Sequence, residues 1–174
     1  TVVAEYTSEY KREVTYQSEA ELEKAFIQLL EKQAYQFLNF TSEKDLVNNL
    51  RSQLEKLNNF QFTDKEWNDF FVQKIANPNS GIEEKTTIIQ EDYIQLLECE
   101  DGTIRNVRLL DKQNIHNNNL QVINQYETDE GKRANRYDVT VLVNGLPLVH
   151  IELKKRGVSL QEAFNQINRY NRES

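Results

Sequence analysis

The chain has 174 residues, of which 38% are hydrophobic and 28% are charged. This length suits one domain with a hydrophobic core, and the composition is typical of a globular protein rather than a disordered one. Because no apolar run reaches membrane-spanning length and no stretch resembles a signal peptide, we expect neither element here. The single cysteine, Cys99, excludes an internal disulfide, and no cysteine–histidine cluster indicates a zinc site.

The net charge of −7 disfavours a simple DNA-binding protein, but the charge is unevenly distributed. Residues 132–174 hold eight Lys or Arg and four Asp or Glu, whereas residues 1–131 hold 13 basic and 24 acidic residues. A positive segment of this kind suits contact with a phosphate backbone. An ordinary solvated surface explains the same surplus, so charge alone favours DNA only slightly.

The first half of the chain predicts helices after a polar arm, which we place at residues 1–17. The first helix opens with a Ser18-x-x-Glu21 capping box and carries an apolar stripe. Residues 42–58 form a second amphipathic pattern. A third helix is predicted to begin at Thr63 and to end near residues 77–81, where Asn, Pro and Gly cluster.

From residue 86 onward the pattern predicts strands. Residues 87–99 and 104–110 are expected to form a hairpin around Asp101-Gly102, and a further strand is predicted for residues 120–126. A last helix is predicted from a capping box at Ser159 to about Arg172. Because its pattern runs to the last residue, we expect the chain to be part of a longer protein.

Residues 138–156 contain two alternating apolar runs around Asn144-Gly145, which is a strong hairpin signal. Both apolar faces must be buried together, so paired residue numbers must have an even sum, as for Val139 opposite Val149. A two-residue Asn-Gly turn gives an odd sum. The sequence therefore predicts a three-residue loop over residues 143–145, with Gly145 left-handed.

The other face of this hairpin is predicted to be polar, with Asp138 opposite His150 and diagonal to Glu152, and with Lys154 on the same side. Carboxylates this close repel each other when both are ionised, unless a divalent cation lies between them. Hard oxygen ligands suit magnesium, and Lys154 would then orient a water or stabilise a phosphate oxygen. The alternative is a solvated hairpin face with a local ion pair that contributes little.

Asp138 followed by Glu152-Leu153-Lys154 resembles the active site of the PD-(D/E)xK nuclease superfamily, with Tyr137 at the position of the proline. The longer string of residues 135–157 resembles the nuclease domain of the R (restriction, motor) subunit of type I restriction-modification enzymes. This resemblance runs from about Ser18 to the end of the chain, so we place the nuclease domain at residues 18–174. It implies an α/β (α+β) fold: a restriction-endonuclease-like mixed β-sheet flanked by helices, with an active-site hairpin followed by a helix.

The resemblance also implies magnesium-dependent hydrolysis of DNA phosphodiester bonds. Asp138, Glu152 and the backbone carbonyl of Leu153 would hold Mg²⁺, and Lys154 would position or activate the attacking water. Some members carry a Gln-x-x-x-Tyr motif on the next helix, which Gln166 and Tyr170 match at helical spacing. These two residues would orient Lys154 or contact the DNA backbone; helix packing by Tyr170 with an exposed Gln166 is the alternative.

The superfamily often adds a glutamate from its first helix, for which Glu21 and Glu23 are the candidates. We favour Glu23, because Glu21 caps the helix, although a solvated helix glutamate explains either residue equally well. The basic residues predicted to contact DNA are Lys155, Arg156 and Arg169. His150 is expected at most to form a supporting hydrogen bond.

In type I enzymes the remaining domains of this subunit form an ATP-driven translocase, so cleavage is expected to be sequence-nonspecific and coupled to translocation. ATP would bind those other domains, since this chain has no phosphate-binding loop motif. The implied partners are double-stranded DNA and the methyltransferase (M) and specificity (S) subunits, in the cytoplasm and away from membranes. Two alternatives stay open: a DNA repair or resolvase-like nuclease of the same superfamily, and a non-catalytic docking module with the nuclease fold.

Overall fold

The computed structural model describes residues 18–40, 42–128, 135–154 and 160–173, so the predicted arm at residues 1–17 lies outside it. The helices in these ranges are α1 (Glu19–Lys32), α2 (Glu43–Asn58), α3 (Asp64–Phe70), α4 (Ile82–Gln90) and α5 (Leu160–Glu173). The strands are β1 (Gln36–Phe37), β2 (Ile94–Glu98), β3 (Ile104–Arg108), β4 (Leu120–Thr128), β5 (Asn135–Val143) and β6 (Leu146–Ile151). None of the described helices is long and apolar enough to cross a membrane.

The predicted capping boxes define the starts of two helices. At α1 the Ser18 hydroxyl accepts a hydrogen bond from the backbone N–H of Glu21, whose carboxylate accepts one from the N–H of Ser18. Thr63 and Glu66 form the same reciprocal pair at the start of α3. Each box satisfies two N–H groups that lack partners within the helix, which is why these sequences start helices. A π-helical turn, Phe71–Ile75, extends α3.

The prediction of a strand from residue 87 was wrong, because α4 covers Ile82–Gln90. The β-branched residues Thr86 and Thr87 favour strands by propensity, but here their hydroxyls donate to the carbonyls one turn earlier, at 2.7 and 3.0 Å. The N–H of Gly81 is capped by the Glu84 carboxylate. The predicted hairpin is confirmed further on, where β2 and β3 pair as a separate two-stranded sheet.

The main sheet has four strands in the order β1-β4-β5-β6. The β1–β4 pair is parallel and the other pairs are antiparallel. The predicted mixed sheet flanked by helices, with a hairpin followed by a helix, is therefore confirmed.

Helices α1 and α2 cover opposite faces of this sheet. On one face Ile27 of α1 packs against Val122 and Val139. Gln121, which precedes Val122 in β4, points to the opposite face. It is fully buried and exchanges amide hydrogen bonds with Asn49 of α2. A second core cluster joins α2 and α3 to the β2–β3 sheet and the start of β6: Leu50, Leu54, Phe62, Trp67, Phe70, Leu97, Cys99, Val107, Leu109 and Leu146.

The β5–β6 connection is the tight two-residue turn that the even-sum argument had rejected. Val143 pairs with Leu146, and both Asn144 and Gly145 have a positive φ, 51° and 84°. The even register returns beyond a bulge, where Leu148 is the extra residue on β6. The predicted three-residue loop was wrong because the bulge, rather than the turn, corrects the register.

The bulge also changes which residues face each other. Val139 lies opposite Ile151 rather than Val149, and Thr140, rather than Asp138, lies opposite His150. The predicted division of the two faces nevertheless holds for these pairs, because the shift amounts to two residues and strand side chains alternate with period two.

Candidate active site

Asp138 joins the two strands of the candidate site. Its Oδ2 accepts a hydrogen bond from the backbone N–H of Leu153 at 2.7 Å. Leu153 lies just beyond β6, between Glu152 and Lys154, and its side chain packs with Ile151 on the α1 side of the sheet. The hydrogen bond therefore holds the Asp138 carboxylate against the Glu152-Leu153-Lys154 segment.

Glu152 is a carboxylate buried beside an ammonium. Its side chain is 4% exposed, and its Oε1 lies 2.6 Å from the Nζ of Lys154, whose side chain is 21% exposed. The second oxygen, Oε2, is buried and has no hydrogen-bond partner among the residues the structure describes. A buried carboxylate oxygen without a partner is costly, so this atom calls for a partner, which a bound cation can supply.

Lys154 is the cation of the site. Burial lowers its pKa, but the hydrogen bond and charge of Glu152, with the charges of Glu19 and Asp138, outweigh burial and raise the pKa above its ordinary value. Lys154 therefore carries its positive charge at neutral pH. The contribution of Glu19 brings the first turn of α1 into the electrostatic environment of this lysine.

The first-helix glutamate that the sequence favoured, Glu23, is buried on α1. It accepts a hydrogen bond from Asn124 Nδ2 at 2.7 Å, and Asn124 pairs in the β4–β5 ladder with Val139, next to Asp138. Glu21, in contrast, is engaged in the cap of α1. Glu19 and Asn124 were not singled out from sequence; the available signal was that Glu19 precedes Glu23 by four residues, one helical turn.

Next to the predicted ligands, Thr140 Oγ1 and His150 Nδ1 lie 2.9 Å apart across the β5–β6 pair. Thr140 is buried whereas His150 is exposed. The pair satisfies the threonine hydroxyl, and the supporting role expected of His150 stays a prediction.

Helix α5 carries Gln166, which is half-buried, and Arg169, which is exposed. Tyr170 lies on the same helix, one turn after Gln166, but its side chain is outside the described part of the molecule. Lys155 and Arg156 also lie outside the described residues. The roles assigned to these five residues stay predictions.

The donor set at Asp138 and Glu152 fits a hard divalent cation such as Mg²⁺. Within the described ranges no group of three or more His, Cys, Asp or Glu side chains is arranged to hold a metal. Magnesium does not need such a cage, because it keeps several waters and binds proteins through one or two carboxylates. The unsatisfied Oε2 of Glu152 is the observation that favours a cation here.

Comparison with known proteins places the chain in a family. Residues 16–174 match the model of the family described as type I restriction enzyme R protein N terminus. The chain belongs to this family. The resemblance drawn from residues 135–157 is therefore confirmed, and the R protein N-terminal region covers all of the described elements.

Individual relatives agree with this R protein assignment. The type I restriction enzyme EcoprrI endonuclease subunit of Escherichia coli is 47% identical over 174 residues, covering 99% of this chain and 55% of that protein. The SsaAORF53P endonuclease subunit of Staphylococcus saprophyticus is 37% identical over 167 residues, and the SauCOLORF180P subunit of Staphylococcus aureus is 36% identical over 168. In both staphylococcal cases the match covers 92% of this chain and 17% of the relative, so the R protein N-terminal chain spans only part of these subunits.

Proposed function

We propose that this chain is the endonuclease domain of a type I restriction enzyme R subunit and that it hydrolyses DNA phosphodiester bonds with Mg²⁺. The observation that carries the proposal is the meeting of Asp138 with the Glu152-Leu153-Lys154 segment, in which one buried carboxylate oxygen has no partner within the described part of the chain. Family membership supports it, because the relatives are endonuclease subunits by name.

In this proposal Asp138, Glu152 and the carbonyl of Leu153 hold the cation. When bound, the cation lowers the pKa of a coordinated water and offsets negative charge that develops on the phosphate. The Asp138 carboxylate is already oriented by the Leu153 N–H, so it reaches the site without a large loss of side-chain freedom.

Lys154 supplies a mobile positive charge next to the reacting phosphate. Its ammonium can hydrogen-bond the attacking water or a phosphate oxygen, which stabilises charge in the transition state. Water adds to phosphorus, the bond from phosphorus to the leaving oxygen breaks, and that oxygen takes up a proton. Glu23, Gln166 and Tyr170 are proposed to support the site, and Lys155, Arg156 and Arg169 to contact the DNA backbone.

For the whole protein we propose sequence-nonspecific cleavage of double-stranded DNA coupled to ATP-dependent translocation. Its partners would be the methyltransferase (M) and specificity (S) subunits, and it would act in the cytoplasm. ATP would bind other domains of the subunit, since these 174 residues contain no phosphate-binding loop motif.

The experiment that tests the proposal uses the assembled enzyme with Asp138→Ala or Lys154→Ala in the R subunit. DNA cleavage should be lost while DNA-stimulated ATP hydrolysis is retained, because the variants affect only the nuclease site. Unchanged cleavage would rule out the proposal and leave a docking module. Loss of both activities would show that the variants disturb assembly of the complex. Size-exclusion chromatography would detect such a defect.

A further inference from the structure

We propose that Lys154 is the internal counter-ion of Glu152, that it takes the place of the divalent cation before the cation binds, and that it competes with the cation for this carboxylate. This inference rests on the proposed metal site and adds a property that the site residues alone do not imply. It makes the lysine a competitor of the cation as well as a participant in hydrolysis.

The geometry of the pair carries the argument. Lys154 Nζ lies 2.6 Å from Glu152 Oε1, which is the distance of a direct charge-assisted hydrogen bond. A divalent cation bound to Glu152 would lie about 2.0–2.1 Å from a carboxylate oxygen. Lys154 occupies Oε1, so a cation that binds the same carboxylate through Oε2 would lie only a few ångströms from the ammonium, and the repulsion between the two positive charges opposes its binding.

Burial explains why the pair forms. The side chain of Glu152 is 4% exposed, and a charged group buried this deeply is costly unless it is paired and hydrogen-bonded. Lys154 supplies that charge through one oxygen and leaves the other, Oε2, without a partner among the described residues. Among the described residues, the Glu152 carboxylate is therefore paired through one oxygen only, and the other oxygen is left for a ligand.

The lysine also has freedom to move. Its side chain is 21% exposed, more than that of Glu152, and its flexible four-carbon stem can swing the ammonium away while the backbone stays in place. Asp138 does not depend on Lys154 for its orientation, because it is held by the Leu153 N–H. The rotation of one side chain is therefore enough to move the ammonium away from Glu152 when a cation binds.

The test measures Mn²⁺ binding to the full chain without nucleotide or DNA, by titration calorimetry at pH 8. Lys154→Met removes the charge but keeps most of the side-chain volume, so it should bind Mn²⁺ about tenfold more tightly, equivalent to ~1.4 kcal/mol. Lys154→Arg keeps a competing cation and should stay near the wild-type affinity. Lys65→Met is the matched control, since it removes one charge from a surface pair with Glu100, 3.9 Å apart, and should change nothing.

Glu152→Gln separates the two proposals. If Glu152→Gln abolishes Mn²⁺ binding at the site and Lys154→Met strengthens it, both proposals hold. If Glu152→Gln abolishes binding but Lys154→Met binds as the wild type or more weakly, the counter-ion role is wrong and the metal site stands. If Glu152→Gln binds Mn²⁺ as the wild type does, the proposed metal site is wrong and the inference falls with it.

A second measurement, made on the wild-type chain, does not depend on whether a variant folds correctly. At saturating Mn²⁺, acetylation of Lys154 by an amine-reactive reagent should become several-fold faster, because the amine is released from Glu152. Mass spectrometry of the peptide that contains Lys154 measures the rate. Glu152→Gln should show fast acetylation with or without Mn²⁺. A rate for the wild type that Mn²⁺ does not change would overturn the inference.

Discussion

The carboxylate of Asp138 accepts a hydrogen bond from the backbone N–H of Leu153, 2.7 Å away. This contact joins β5 to the segment that follows β6. It lies farther from the turn than the bulge that sets the register of the hairpin. The two parts of the candidate active site are therefore held together by the chain itself. A cation would therefore bind residues that the chain already holds next to each other.

Replacing Asp138 with Asn should separate the structural and chemical roles of this residue. The amide oxygen of Asn can still accept from the Leu153 N–H, so the thermal unfolding midpoint should stay within a few degrees of the wild type. The loss of one negative charge should reduce DNA cleavage by the assembled enzyme at least ~100-fold, since a missing metal ligand or charge group costs several kcal/mol of transition-state stabilisation. Cleavage at the wild-type rate by Asp138→Asn would remove Asp138 from the proposed metal ligands.

The first-helix glutamates provide a matched pair for testing a role of Glu23. Glu23→Gln keeps an oxygen that can accept from Asn124 but loses the charge, so we expect cleavage to fall at least ~10-fold with little change in stability. Glu21→Gln keeps the capping box, because Gln serves at this position, and should leave cleavage unchanged. Equal cleavage by the two variants would identify Glu23 as a structural residue.

The tight turn at Asn144-Gly145 predicts that a substitution of Gly145 strongly lowers the free energy of unfolding. A Cβ on Gly145 would lie 2.6 Å from the Cα of Leu50 and would also be strained by the φ of +84°. We expect Gly145→Ala to destabilise the fold by on the order of 3 kcal/mol, because backbone of α2 must shift.

Gly102→Ala is the matched control. Its φ is +80° but nothing lies within 4 Å of the added Cβ, so only the left-handed backbone penalty of about 1–2 kcal/mol applies. Urea unfolding of both variants measures the difference. Equal destabilisation would show that α2 does not pack on the turn as described.

Asp111 predicts an acid-dependent contribution to stability. The N–H of Asn114, the amide of Asn117 and the N–H of Gln113 lower the pKa of Asp111 below its ordinary value of 3.8, although burial opposes them. Because the pKa is lower in the folded state, the contribution is fully present above pH 3.8 and is lost as the pH falls below that value. Asp111→Ala should therefore be less stable than the wild type at pH 7, and the difference should shrink below pH 3.8. The measurement is the free energy of unfolding of both proteins across this pH range. A difference between them that does not change with pH would contradict the assignment.

The hairpin shows how far the sequence predicts the fold. Alternation correctly placed Val139 and Ile151 on one face, beneath α1, and Thr140 and His150 on the other, but Val149, which it placed with Ile151, is 48% exposed. It could not show that Leu148 is an extra residue in a bulge, because a bulge changes pairing without interrupting the apolar pattern. The same limit applies to α4, where threonines that favour strands lie in a helix and their hydroxyls donate to the carbonyls four residues earlier.

The candidate site was predicted in a similar way. The motif located Asp138, Glu152 and Lys154, and the structure adds how they meet: a backbone N–H for the first, and a partly buried ion pair for the other two. Contacts of this kind depend on the twist and bulge of two strands and on the burial of one side chain. Local spacing in the sequence does not contain that information, and it likewise could not join Glu23 to Asn124, 101 residues later.

The most direct test of the metal site is the position of Mn²⁺ in crystals of the full chain, located by anomalous scattering. The account predicts a peak bridging the carboxylates of Asp138 and Glu152, about 2.0–2.3 Å from their oxygens, with Lys154 turned away from Glu152. Crystals soaked to saturation that show no peak there, while Lys154 still pairs with Glu152 and the same protein cleaves DNA with Mn²⁺, would contradict it.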